Sequence, residues 1–384
     1  MAKPLLSYQA WKGKNRFLLK GRLIFGPDAK ALIVTSMLIV VPAAIFCIFV
    51  ARKFLHQHVE SSAGYVIMTV TVILTSYVLV LLILTAAQDP GIVPRNSCPP
   101  DEILSYESST TVEAGGKPLP RTKEVIVNGL TVKVKYCETC MLFRPPRCSH
   151  CSVCDNCVER FDHHCPWVGQ CIGKRNYRCF FLFVSSAALL CAFVFSMSVL
   201  HIKFLVDIHE NVWRAIIESP ASLALMIYCF LSLWFVGGLT CFHLYLISKN
   251  QTTYENFRNR RDNSMINVYN LGCKNNCIEV FCTRVEASKI NFQGHVNEQG
   301  TTEVKPLPQM GGGCSINEGV VDTRPRVKVE DDDDIGDDLL KLSQRRNSED
   351  IANVFRSDAK ILDECPDADS AMAHLASRPP YNHF

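Results

Sequence analysis

Four consecutive residues, Asp162-His163-His164-Cys165, carry the most reactive combination of side chains in this chain. A cysteine attacks as its thiolate, and a histidine beside it can take the thiol proton and lower its pKa. A carboxylate can then orient the imidazole and stabilise its charged form. Asp162, His163 and Cys165 supply those roles within one short stretch. Sequence proximity alone does not set geometry, and an isolated string of this kind is usually an accident. It needs a rigid frame.

The neighbouring residues offer one. Cys137, Cys140, Cys148, His150, Cys151, Cys154, Cys157, His164, Cys165 and Cys171 crowd into a single segment. Cys-x-x-Cys steps suit tetrahedral zinc, because a tight turn brings both sulfurs to one ion. Eight ligands would close two structural sites, each Cys3His, and His164 is better used as a ligand that pins the segment. Cys148, His163 and Cys165 are then spare. The histidines break the all-thiolate set that an iron–sulfur cluster would use. Just upstream, Glu124–Lys135 alternates apolar and polar residues about Asn128-Gly129, which predicts a β-hairpin with a two-residue turn.

The elements that must position this module are membrane helices. Four segments lack Asp, Glu, Lys and Arg and reach the roughly 20 residues needed to cross a bilayer. They are Ala31–Ala51, Ser61–Gln88, Cys179–Leu200 and Ser219–Ser248, with His243 placed near the interface. Buried helices of a soluble domain are the weaker reading of four such runs. Lys and Arg concentrate in residues 1–30, in the loop 89–178 and after the fourth span, whereas Arg52–Glu60 and His201–Glu218 are less basic. Both termini and the central loop should therefore face the cytosol, where thiols stay reduced. The sequon Asn250-Gln251-Thr252 should then carry no glycan. The first apolar run is too long for a signal-peptide core, so the 19 cysteines do not indicate a secreted disulfide scaffold. A net charge of +3 is too small to argue for nucleic acid.

The expected fold is thus an α-helical integral membrane protein. Four transmembrane helices (31–88 and 179–248) would flank a cytosolic Cys-rich two-zinc domain at about 135–178, with short β-hairpins. A cytosolic segment 249–285 would follow, and then a mostly disordered tail, 286–384, containing Gly311-Gly312-Gly313 and the acidic run Glu330–Asp334. Arg345-Arg346-Asn347-Ser348 fits a basophilic kinase site, a pattern with many false positives. There is no internal repeat.

Residues Cys137–Phe181 resemble the Cys-rich domain of the DHHC family of protein S-acyltransferases, or palmitoyltransferases. The match runs through Cys137-x-x-Cys140, Arg144-Pro145, His150-Cys151, Cys154, Cys157, Asp162-His163-His164-Cys165-Pro166-Trp167-Val168, Cys171-Ile172-Gly173 and Asn176. Asp89-Pro90-Gly91 resembles the family's DPG motif and Thr252-Thr253-Tyr254-Glu255 its TTxE motif. Asn267-Val268-Tyr269 is similar to its polar and aromatic C-terminal segment. Gln170 departs from the Asn found in many members, with only local hydrogen bonding in question. Cys148 is not a ligand in the family pattern and is read as a bystander rather than a secondary acylation site.

The resemblance implies that Cys137, Cys140, His150 and Cys157 hold one structural Zn2+, and Cys151, Cys154, His164 and Cys171 the other. It makes Cys165 the acyl-accepting nucleophile, His163 its base and Asp162 the residue that orients His163. Thr252 and Thr253 would buttress the site, with Trp167 at its mouth. The implied reaction is ping-pong, taking a long acyl chain from acyl-CoA (palmitoyl-CoA) to juxtamembrane cysteines of membrane-associated proteins. A long chain stays in the bilayer because each buried methylene is worth about 0.8 kcal/mol. Arg144, Arg147, Lys174 and Arg175 could hold the coenzyme A phosphates or be ordinary surface charge near anionic lipid. Golgi, endoplasmic reticulum and plasma membrane are all compatible. A non-catalytic zinc scaffold would leave Asp162, His163 and Cys165 without a role; a membrane ubiquitin ligase would need RING-like ligand spacing, which is not present, and would make the DPG and TTxE matches a coincidence.

Overall fold

The computed structural model describes residues 5–57, 61–100, 103, 122–262 and 267–296. Four helices in it are long and apolar enough to cross a membrane. The first begins as α1 (Ala31–Ile45), passes through a π-helical turn (Phe46–Ala51) and ends as α2 (Arg52–Gln57). The others are α3 (Ser61–Ala87), α4 (Tyr177–His209) and α6 (Pro220–Lys249). A short helix, α5 (Val212–Glu218), links the last two; Asn211 caps it by accepting from the N–H groups of Trp213 and Arg214.

The helix α4 extends beyond the expected third span to His209, taking in Lys203 and Asp207. Its outermost turns belong to the connection rather than to the apolar run. Outward positions such as Ile33, Met37, Ile73, Leu189, Phe230 and Phe235 are exposed apolar side chains, as a lipid-facing surface requires. Inside the bundle, α4 packs along α6 and α3 around Phe46, Val50, Val78, Leu82, Val184 and Val194.

Pro42 lies inside α1, one turn before the π-helical stretch. Proline has no N–H to give the carbonyl four residues back. That carbonyl belongs to Leu38, and the Tyr228 hydroxyl of α6 donates to it at 2.7 Å. The turn carries Phe46 and Val50 fully into the core.

The Cys-rich segment is built from β-hairpins. In the first of them, β3 (Thr122–Val127) pairs with β4 (Leu130–Cys137) across Asn128-Gly129, whose φ values of 50° and 79° give the expected two-residue turn. The strand β5 (Leu142–Phe143) adds to β4. Two further hairpins join β6 (Ser149–Cys151) to β7 (Asn156–Val158) and β8 (His163–Cys165) to β9 (Gln170–Ile172). An N-terminal hairpin pairs β1 (Arg16–Leu18) with β2 (Leu23–Phe25).

After α6 come α7 (Thr253–Asp262) and α8 (Cys273–Phe281). The sequence suggests a tail from 286 onward, yet residues 286–296 are packed. Ile290 and Phe292 bury against Trp11 and Phe17, and Ser7 donates its N–H and hydroxyl to the Gly294 carbonyl. Two aromatic or branched side chains in a polar stretch suffice because the N-terminal segment supplies the other half of the cluster. The remainder of that tail, including the glycine run, the acidic run and the Ser348 pattern, lies outside the described residues.

Candidate active site

Strand alternation explains how one tripeptide serves two sites. In β8, side chains point alternately to opposite faces. His164 turns to a thiol cluster, while His163 and Cys165 turn to the helical bundle. Cys165 is buried and shares a core cluster with Phe46, Phe180 and Leu190 of the spans.

The carboxylate of Asp162 is fully enclosed. Its Oδ2 lies 2.6 Å from His163 Nδ1 and accepts from the Thr253 hydroxyl at 2.8 Å. Its Oδ1 accepts from the Thr253 N–H, also at 2.8 Å. The Tyr254 N–H donates to its backbone carbonyl. Burial alone would raise the Asp162 pKa, but the hydrogen bonds from His163 and Thr253 outweigh it and hold it at about 2. Burial works against charge on His163 as well; Asp162 and Cys165, both bonded to it, prevail and raise it to about 10. The pair therefore rests as imidazolium and carboxylate across the physiological range.

Thr252 is the N-cap of α7 rather than a contact to Asp162. Its hydroxyl accepts from the Glu255 N–H, and its own N–H donates back to Glu255 Oε2 at 2.9 Å, the reciprocal box of helix starts. Glu255 in turn receives a two-pronged bond from Arg147, both contacts at 2.8 Å. Arg147 also donates to the Asn250 side chain and carbonyl, and stacks 4.4 Å over the Tyr269 ring. Asn250 is buried, with its Nδ2 donating to Tyr269 O and Glu279, so a glycan has no room there.

Each predicted ligand set comes together. Cys137, Cys140, His150 and Cys157 form one cluster, and Cys151, Cys154, His164 and Cys171 the other. His150 Nδ1 lies 3.5 Å from Cys137 and Cys140 Sγ and 3.8 Å from Cys157 Sγ. His164 Nδ1 lies 3.4–3.9 Å from its three sulfurs. A tetrahedron with 2.0–2.3 Å bonds has edges of about 3.5–3.8 Å, so both sets fit a metal ion. Thiol chemistry agrees. Hydrogen bonds among the sulfurs push Cys137 down and Cys140 and Cys157 up, and a dication would let all three ionise. The histidine of each cluster turns its Nε2 to a carboxylate, Asp155 for His150 at 3.5 Å and Asp28 for His164 at 3.2 Å.

The remaining predicted residues divide. Arg144 and Arg147 line a cleft of about 550 Å³ with Lys133, Lys135, Tyr254 and Arg258. Arg175 instead donates to Asp89 at 2.7 Å, and Lys174 to Glu286 at 2.7 Å. Asp89 also receives the Gly91 and Ile92 N–H groups and the Ser288 hydroxyl. Trp167 is exposed, its carbonyl held by the Thr35 hydroxyl. Gln170 is fully buried and ties β9 to the Ile24 carbonyl; Cys148 lines the cleft and packs against the first cluster, hydrogen-bonded to Cys157 but outside its four-residue set.

Two residues have no site role in the sequence reading, which places His243 only near the membrane interface and does not mention Asp28. Asp28 is 136 positions from His164, and no local pattern points to it. His243 is buried with its ring 6.1 Å from that of His163 and its Nδ1 3.0 Å from the Tyr177 hydroxyl. Its signal was available: an ionisable side chain in an otherwise uncharged span.

A membrane bundle with two metal-competent Cys3His clusters and a buried Asp–His–Cys group describes one class of protein, the DHHC enzymes. Residues 131–260 match the family described as DHHC palmitoyltransferase. The chain is 59% identical to Protein S-acyltransferase 8 of Arabidopsis thaliana over 353 residues, covering 90% of this chain and 86% of that one. It is 54% identical to Probable protein S-acyltransferase 9 of the same plant, over 89% of this chain and 83% of the relative. Probable protein S-acyltransferase 7 is 53% identical, over 81% and 70%. The chain belongs to the DHHC palmitoyltransferase family, whose members are acyltransferase enzymes.

Proposed function

We propose that this enzyme moves a long acyl group from acyl-CoA to cysteines of membrane-associated proteins through an acyl-enzyme on Cys165. The observation that carries the reading is the chain Thr253–Asp162–His163 ending beside a thiol buried among transmembrane side chains. Sulfur there meets a thioester carbonyl at the bilayer surface while the acyl tail enters the bundle.

In the first step the Cys165 Sγ–acyl bond forms, the acyl–CoA thioester breaks and CoA leaves as a thiol. His163 holds the Cys165 proton and returns it to the departing sulfur. In the second, a protein thiol attacks the acyl-enzyme, its proton passes through His163, and Cys165 is regenerated. Asp162 keeps the imidazole in place and stabilises it whenever it carries the proton. Thr253 fixes Asp162, and Thr252 fixes the helix that carries Thr253.

Two Zn2+ ions are assigned structural roles in the two clusters, with His164 pinning β8. The basic cleft that Arg144 lines with Lys133, Lys135 and Arg258 suits the coenzyme A phosphates, and Tyr254 links it to Asp162; Arg147, in its wall, is engaged by Glu255, Asn250 and Tyr269 and braces it. The partners of Lys174 and Arg175 favour a bracing role for those two. The excess of Lys and Arg at the same ends of the spans supports cytosolic termini and a cytosolic catalytic loop in an endomembrane compartment, whether Golgi, endoplasmic reticulum or plasma membrane.

The test is detergent-purified protein with a clickable palmitoyl-CoA analogue, comparing wild type with Cys165→Ser at equal zinc content. Hydroxylamine-labile label on the wild type alone is expected. Equal labelling of both, or of neither with zinc retained, would move the assignment to a zinc scaffold.

A further inference from the structure

The strand β4 has one edge paired along its length and one edge largely open. In its hairpin with β3, Val127 and Leu130 close the two-residue turn, so Leu130, Val132 and Val134 turn their N–H and C=O groups to β3. Thr131, Lys133 and Lys135 turn theirs to the other side. There β5 meets only Tyr136 and Cys137, and the Arg144 N–H donates to the Lys135 carbonyl at 2.9 Å. Among the described residues, the outward backbone groups of Thr131 and Lys133 have no partner.

This edge lines the cleft of about 550 Å³, together with Val268 and Tyr269. Those two are held firmly. Asn128 Nδ2 donates to the Val268 carbonyl and Asn250 Nδ2 to the Tyr269 carbonyl, both at 2.9 Å, and Arg147 stacks on the Tyr269 ring. Tyr254 lines the cleft as well, and its N–H donates to the Asp162 carbonyl, so the cleft adjoins the catalytic group.

An open edge is a template for another strand, and the charges here select which one. Lys133 and Lys135 share one face of β4, and Arg144 and Arg258 line the same cleft. Glu255 is the one acidic residue of the lining, and Arg147 already occupies its carboxylate. The Lys133–Glu124 pair across the hairpin is exposed, with 3.9 Å between its charged atoms, and holds Lys133 only weakly. A second copy of β4 would bring like charges together, whereas a strand bearing Asp or Glu would bring opposite ones.

We propose that the open edge of β4 docks the protein acceptor, an extended acidic segment that adds as a strand beside Thr131 and Lys133. Main-chain bonds hold the segment, and Lys133, Lys135, Arg144 and Arg258 select its carboxylates. The inference rests on the proposed acyl transfer and gives the acceptor a chemistry. In a ping-pong order CoA departs before the acceptor arrives, so one cleft serves both in turn.

The probe is a fluorescent eight-residue peptide without cysteine, Glu alternating with Val, titrated into full-length protein in detergent and followed by polarisation. Saturable binding is expected, at least about 10-fold tighter than that of the same peptide with Lys for Glu. Successive N–H groups of a strand point to opposite edges. Methylating every second backbone nitrogen should therefore abolish binding in one register and spare it in the other. Equal effects in the two registers, or no binding, would overturn the proposal. Thr131→Pro removes one outward N–H and leaves the β3 ladder and every charge in place; at wild-type zinc content it should weaken the peptide about 10-fold. Wild-type affinity in that variant would count against the edge. Register-dependent binding that survives saturating CoA would keep the docking site and move the CoA phosphates elsewhere. Absence of an acyl-enzyme on Cys165 would sink the transfer reading instead, and is read in the labelling assay.

Discussion

Thr253 meets both carboxylate oxygens of Asp162, giving its N–H to Oδ1 and its hydroxyl to Oδ2 at 2.8 Å each. The two residues are 91 positions apart, so the segment after the fourth span completes a site begun before the third. Thr253→Val keeps the N–H and removes the hydroxyl. A hydrogen bond to a charged group contributes about 1.5–3 kcal/mol, so acyl-enzyme formation should fall about 10-fold or more at unchanged zinc content. Unchanged rates in a single-turnover assay would remove Thr253 from the active site.

Charge on His163 is held by Asp162. With the pKa raised to about 10, the imidazolium persists at neutral pH and is lost as pH rises through about 10. In Asp162→Asn the burial remains and the carboxylate does not, so the titration should move below the ordinary 6.5 of histidine. Cys165 then loses its cationic neighbour at pH 7.5. Its alkylation by iodoacetamide, followed on the isolated peptide, should slow about 10-fold. Equal rates in the two proteins would show that the carboxylate does not control the site's charge.

Metal retention should depend on Asp28. Carboxylates behind ligating histidines typically contribute 10–100-fold in affinity, and Asp28 occupies that position behind His164. For Asp28→Asn we expect zinc to transfer to a colorimetric chelator about 10-fold faster from one of two sites. Release curves that superimpose on wild type would place Asp28 outside the metal's influence.

Arg147 cannot be replaced conservatively. Its planar group serves Glu255 twice, Asn250 twice and the Tyr269 ring. Lysine offers neither the fork nor the stacking face. Breaking a buried pair by losing one partner typically costs about 3–5 kcal/mol, and Arg147→Lys should approach the low end, read as a lower melting temperature in detergent. A melting temperature equal to wild type would mean the network is held by its other members.

What the sequence makes legible here is what repeats at short range. Uncharged runs announce the spans, Asn128-Gly129 announces its hairpin, and Cys-x-x-Cys steps announce metal-competent clusters. The sorting of eight ligands into two sets came from family resemblance, since spacing alone leaves it open. Contacts between distant elements had no such signal. Asp28 behind His164, Tyr228 on the freed Leu38 carbonyl, and Arg175 bound to Asp89 each join segments tens to hundreds of residues apart. The composition of residues 286–296 looks like a solvated tail, because the aromatic partners that order it lie near the other end of the chain.

That last arrangement sets an order of assembly. Ser7 and Gly294 are 287 positions apart. At about 5–20 residues per second of synthesis, roughly 15–60 s pass between their emergence from the ribosome. All four spans must be inserted before the two strips can meet. During that interval Trp11 and Phe17 wait without Phe292, and Asp89 without Ser288. The face that carries the Cys-rich segment is therefore sealed last, by a closing stitch that needs all four spans in place and the chain translated beyond residue 294.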